Sequence, residues 1–79
     1  MGRMRDLLES LSQTTPQDLM ERIASLEGAW GLLSPSDRRY WMVDAAMRLG
    51  WLAGRSRTAS DEEIVARLTT AFRNLEKRR

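Results

Sequence analysis

Residues 35–54, PSDRRYWMVDAAMRLGWLAG, limit the possible folds more than any other stretch of the chain. Projected as a helix at 100° per residue, Met42, Val43, Ala46, Met47, Leu49, Gly50, Ala53 and Gly54 share one broad side. Trp41, Ala45 and Leu52 lie across a narrow ionic strip made by Asp44 and Arg48, and Trp51 stands on its near shoulder. A helix with apolar residues on both sides of such a strip must be covered over most of its circumference, unlike one resting on a core along a single stripe. The stretch is predicted to be the central element of an all-α fold.

Its start is marked by Ser34-Pro35-Ser36-Asp37, which repeats the chemistry of Thr15-Pro16-Gln17-Asp18: a hydroxyl cap, a proline in the first turn and a carboxylate near the free amides. The helix opened by Thr15 has the seam Leu19, Ile23, Leu26, Trp30 and Leu33. Gly28 and Gly31 interrupt it, each costing about 1 kcal/mol relative to alanine inside a helix. Either the helix ends near Glu27 with Gly28 as its cap, or it continues and the glycines admit a neighbouring backbone. The unbroken register of the seam favours a helix reaching Trp30 or beyond.

Gly54 is expected to close the central helix, and residues 54–59 read as a loop. Ser60-Asp61-Glu62-Glu63 has the form of a capping box for a last helix that buries Ile64, Val65, Leu68, Ala71, Phe72 and Leu75 along one arc. Before all of these, Met4, Leu7, Leu8 and Leu11 mark a short amphipathic helix that must dock or fray. No stretch alternates as a strand would. The expectation is a single helical domain over 1–79, a small helical bundle of three main helices plus a short N-terminal helix. Residues 1–14 are free to fray and residues 77–79 form a basic end. The expected core is Leu19, Ile23, Leu26, Val43, Ala46, Met47, Leu68, Phe72 and Leu75.

Seventy-nine residues bury roughly 60% of the unfolded surface, which leaves a fold marginal enough to gain from a partner. The absence of cysteine and histidine excludes disulfides, the usual zinc sites and imidazole catalysis. No nucleophile is paired with a base, and helix capping accounts for the acids at 61–63. The sequence therefore assigns no catalytic residue, no metal ligands, no cofactor and no small-molecule substrate, and the chain is expected not to be an enzyme. Neither a secretory leader nor a membrane span is expected, and the lack of cysteine suits a cytoplasmic protein.

Two functional readings follow. Ala46, Gly50 and Gly54 recur every four residues and form a shallow track suited to close helix packing, within the chain or between copies. Trp41 and Ala45 lie about 160° from Val43, and Leu52 about 180° from it, so one neighbouring helix cannot cover both sides. With Arg48 on the rim, Trp41, Ala45 and Leu52 are read as a protein interface, with the N-terminal helix as the competing cover for that patch. The preferred function is a small protein-binding or regulatory protein that forms a homodimer or binds a larger protein. The alternative is a helical DNA-binding regulator. Residues 1–54 carry six basic and seven acidic residues, whereas residues 55–79 carry seven and four, which singles out Arg55, Arg57, Arg73, Lys77, Arg78 and Arg79 as phosphate contacts.

Overall fold

Three side-chain hydroxyls begin the three long helices. The Asp18 amide donates to Thr15 Oγ1 at 3.1 Å, the Asp37 amide to Ser34 Oγ at 3.2 Å and the Asp61 amide to Thr58 Oγ1 at 3.1 Å. The computed structural model describes residues 2–78. Its elements are α1 (Gly2–Ser12), α2 (Pro16–Ala29), a 3-10 turn (Trp30–Leu32), α3 (Pro35–Gly54) and α4 (Ala59–Glu76). Among the described residues there is no strand, and no helix is long and apolar enough to cross a membrane.

The cap of α4 corrects the sequence reading by two residues. Thr58 precedes Ser60 and offers the same hydroxyl, while the Asp61 carboxylate accepts from the Arg57 amide at 3.1 Å, so Thr58-Ala59-Ser60-Asp61 performs the capping. The α3–α4 connection is thereby only Arg55–Thr58. At Gly28 the helix continues, as the register of the seam favours, but no neighbouring backbone comes close to account for the glycine. The residue is helical and lacks the positive φ of a glycine cap, and a Cβ built on it would meet nothing within 4 Å. The chain then tightens into the 3-10 turn, which carries the seam on to Trp30 and Leu33.

The core lies where α2, α3 and α4 meet. Leu19, Ile23, Leu26, Ala45, Leu68 and Leu75 are buried, with Trp30, Leu33, Met42, Leu49, Leu52, Ala71 and Phe72 packed around them. The seams of α2 and α4 face inward as their spacing predicts, except for Ile64, which stays 37% exposed in the second turn of α4. α3 does not follow the expectation: Val43 is 53% exposed, Met47 38%, and Ala46 is also exposed, whereas Ala45 is 1% exposed. Most of the broad side of this helix faces outward, only its edge residues Met42 and Leu49 reaching the core, and the side with Ala45, Leu52 and Arg48 faces in.

Arg48 explains the reversal. Its side chain is 7% exposed, and its Nε donates to both oxygens of Asp44 at 3.1 and 3.2 Å. Nη1 donates to Thr14 Oγ1 at 2.8 Å and to the Ser10 carbonyl at 3.3 Å, and Nη2 donates to Ser10 Oγ at 2.9 Å. A buried guanidinium is tolerated when it is paired and its donors are satisfied. The strip read as a surface rim is therefore the seat of α1, which is held on α3 by polar bonds from its C-terminal end.

The result is a plate about two helices thick, with Cα extents of 36 × 35 × 15 Å. Its accessible surface of 5969 Å² exceeds the roughly 4,900 Å² typical of a folded monomer of 9.1 kDa. The radius of gyration, 13.0 Å, likewise exceeds the roughly 11.6 Å of a compact chain of this length.

Candidate interaction surfaces

The expected interface around Trp41 is dismantled by the packing. Ala45 and Arg48 are buried inside the chain and Leu52 packs against the core, so none of the three forms a face open to a second protein. Trp41 alone remains accessible, at 39%, with the Tyr40 ring edge-on to it at 5.0 Å. α1 does not act as the competing cover. It sits on the Arg48 side and leaves Met4 70%, Leu7 39% and Leu8 54% exposed.

Trp41 instead stands beside a cleft of about 480 Å³ between α2 and α3. Leu26, Ala29, Leu33 and Ala45 line it with Trp41, while Asp18, Glu21, Arg22 and Asp44 form its polar part. Asp44 is engaged by Arg48 and stands 3.6 Å from Arg22 Nη1. Among the described residues neither Asp18 nor Glu21 has an ion-pair partner. The sequence reading missed this cleft because its lining comes from two helices whose mutual orientation depends on which side of α3 turns inward.

The opposite side of α3 is the largest departure from the expected core. Tyr40 is 64% exposed and lies with Val43 and Met47 on one face, and Ala46, Gly50 and Gly54 continue that face toward the C-terminal end. Among the described residues nothing packs against Gly50 or Gly54, and Ala46 is exposed. A Cβ on Gly50 or Gly54 would find open space within 4 Å, so the close-packing role expected for Ala46, Gly50 and Gly54 is not used inside the protomer.

The basic residues do not form one patch. Arg55 stacks on Trp51 at 5.3 Å and Arg57 adjoins the start of α4, whereas Arg73, Lys77 and Arg78 lie at its other end, about 25 Å away along the helix. Arg78 Nη1 is shared between the Glu27 carbonyl at 3.3 Å and its carboxylate at 3.9 Å. Arg79 lies outside the described residues. Among the described residues no three acidic side chains are gathered as a metal ion would require. Thr14, buried at the Arg48 centre, is fully engaged: its hydroxyl donates to the Ser10 carbonyl and accepts from Arg48. Comparison with family models, curated proteins and solved structures returned no match.

Proposed function

We propose that this chain is a non-enzymatic protein-interaction module that self-associates through the outer face of α3. The observation that carries the reading is the order of side chains on that face. Tyr40 and Val43 are bulky, exposed and toward the N-terminal end of the face, Met47 stands at its middle, and Gly50 and Gly54 are bare and toward the C-terminal end. In an antiparallel two-fold pairing centred on Met47, Tyr40 comes opposite Gly54 of a second copy and Val43 comes beside Gly50. Large groups then enter gaps on both sides of the axis, as an isologous contact requires. A parallel pairing would set bulk on bulk and leave a void.

The area supports the same reading. The surface in excess of a compact monomer, roughly 1,100 Å², is comparable with the roughly 800 Å² that each partner contributes to a standard interface. DNA binding through residues 55–79 has weaker support, because its cations are divided between two ends of α4 and Arg78 is engaged with Glu27. The four-residue α3–α4 connection does suit a bihelical reader, but a shared basic face is lacking.

Concentration-dependent sedimentation tests the proposal with Gly50→Leu. A Cβ at position 50 meets nothing within 4 Å and leucine is a better helix former than glycine, so helicity and monomer stability are expected to be retained while the gap needed by a second copy is filled. Dimerisation of the wild-type chain and a clearly weaker association in Gly50→Leu are the expected results. A wild-type chain that stays monomeric at millimolar concentration, or a Gly50→Leu variant that dimerises as before, overturns the reading.

A further inference from the structure

We infer that the α2–α3 cleft is a second, separate interaction site and that its occupant is helix α1 of another copy of this chain. The two surfaces have complementary chemistry. The cleft has apolar lining from Leu26, Ala29, Leu33 and Trp41, and its polar lining carries three carboxylates, Asp18, Glu21 and Asp44, against the single cation Arg22, which stands 3.6 Å from Asp44. Glu21 is exposed and lies beyond the first turn of α2, so neither a described cation nor the amide ends of that turn balance its charge.

Helix α1 has the converse composition. Met4, Leu7 and Leu8 form a seam that its own protomer leaves in water. At 3.6 residues per turn, Arg3 and Arg5 flank this seam on opposite sides, each within about 60° of its nearest apolar residue. Asp6 and Glu9 lie at the back, about 150° from the middle of the seam. The exposed side of α1 is thus an apolar strip edged by cations, and the cleft is an apolar trough with an excess of carboxylates. Helix-in-groove recognition uses this type of pairing, with apolar anchors giving the contact and charge setting its direction.

The lining of the cleft, polar end included, runs along α2 for about 16 Å from Asp18 to Ala29, long enough for the two turns of α1 that carry Met4, Leu7 and Leu8. Asp44 lines the cleft and also binds Arg48 beneath α1, which places donor helix and receiving cleft next to each other on one side of α3. A two-fold operation can then exchange the two contacts reciprocally. This inference is independent of the outer face of α3, and the two are separable by experiment.

Charge exchange in the full-length Gly50→Leu chain provides the test, because that background removes the α3 contact proposed above. One variant adds Arg3→Glu and Arg5→Glu; the other adds Glu21→Lys and Ser25→Lys, both on the cleft lining and beyond the first turn of α2, so the Asp18 carboxylate at the start of that helix is kept. Each alone places like charges at both contacts of a reciprocal pair, and sedimentation is expected to show at least a tenfold loss of association with unchanged helicity. Mixed in equal amounts, the two variants match opposite charges at both contacts, and a heterodimer is expected.

A Gly50→Leu chain that is monomeric at millimolar concentration overturns the inference, as does failure of the mixture to associate while both variants remain folded. A synthetic leucine–lysine amphipathic helix that binds the full chain as tightly as a peptide of residues 1–14 would assign the cleft to a foreign basic helix and also overturn it. Loss of all dimer on Gly50→Leu, with charge reversals inert in the wild-type background, removes this contact and leaves the α3 reading standing.

Discussion

Arg48 reaches back one helical turn to hold Asp44 with its Nε 3.1 Å from Oδ2, and the remainder of its guanidinium binds Ser10 and Thr14. One side chain therefore joins the central helix to the first one through bonds that its flat fork satisfies simultaneously. Replacing Arg48 with methionine keeps much of the volume and removes every one of these donors. The expected cost is about 3 kcal/mol, the lower range for breaking a buried ion pair, because Arg22 remains near Asp44. Circular dichroism should show partial loss of helix at α1 before global unfolding, while Arg48→Lys should recover only part of the lost stability. Full stability in Arg48→Met would remove the proposed anchoring role.

The orientation of α3 makes a second expectation concrete, with Leu75 of α4 as the buried reference. Leu75 is 0% exposed and its replacement by alanine is expected to cost about 2–5 kcal/mol, enough to unfold much of a marginal domain. Val43→Ala, on the outer face, should change the stability of the monomer by no more than about 0.5 kcal/mol. Urea titration at low protein concentration distinguishes them. A loss well above 1 kcal/mol for Val43→Ala would mean that this side chain is buried and that α3 is turned the other way.

Gly28 gives a prediction of opposite sign. It occupies helical backbone with open space around its missing Cβ. Gly28→Ala should stabilise the monomer by up to about 1 kcal/mol, by adding helix propensity and by limiting the unfolded chain. A reduced denaturation midpoint would show that the residue serves a contact absent from the isolated protomer.

The α4 cap can be located by two alanine substitutions. Thr58→Ala should cost about 1 kcal/mol because Thr58 accepts from the Asp61 amide, whereas Ser60→Ala should be nearly neutral. Thermal denaturation of the pair decides between the two boundaries. The reverse order would restore Ser60 as the cap.

The contrast between α2 and α3 shows which parts of the architecture were legible in the residues. The seam of α2 has a single apolar side, so spacing alone points Leu19, Ile23 and Leu26 inward. Leu68 and Leu75 behave in the same way on α4. α3 has apolar residues on two sides, and local periodicity contains no term that chooses between them. The choice depends on Arg48, which reads as surface charge until Ser10 and Thr14 are placed beside it, 38 and 34 residues away in the chain. For the same reason, the accessibility of Trp41 was legible but its surroundings were not. The cleft beside it exists only after α2 and the inward side of α3 have met.

A plate 15 Å thick also has consequences for how its backbone opens. Few amides lie far from solvent, so slow hydrogen exchange should be confined to a small central island around Leu19–Leu26, Ala45 and Leu68–Leu75, where helices cross and opening requires separating them. The outer turns of α3 and the first turns of α1 can open without disturbing that island. Their exchange rates therefore act as local gauges: association through α3 slows amides around Val43–Gly50, whereas insertion of α1 into a neighbouring cleft slows those around Met4–Leu8.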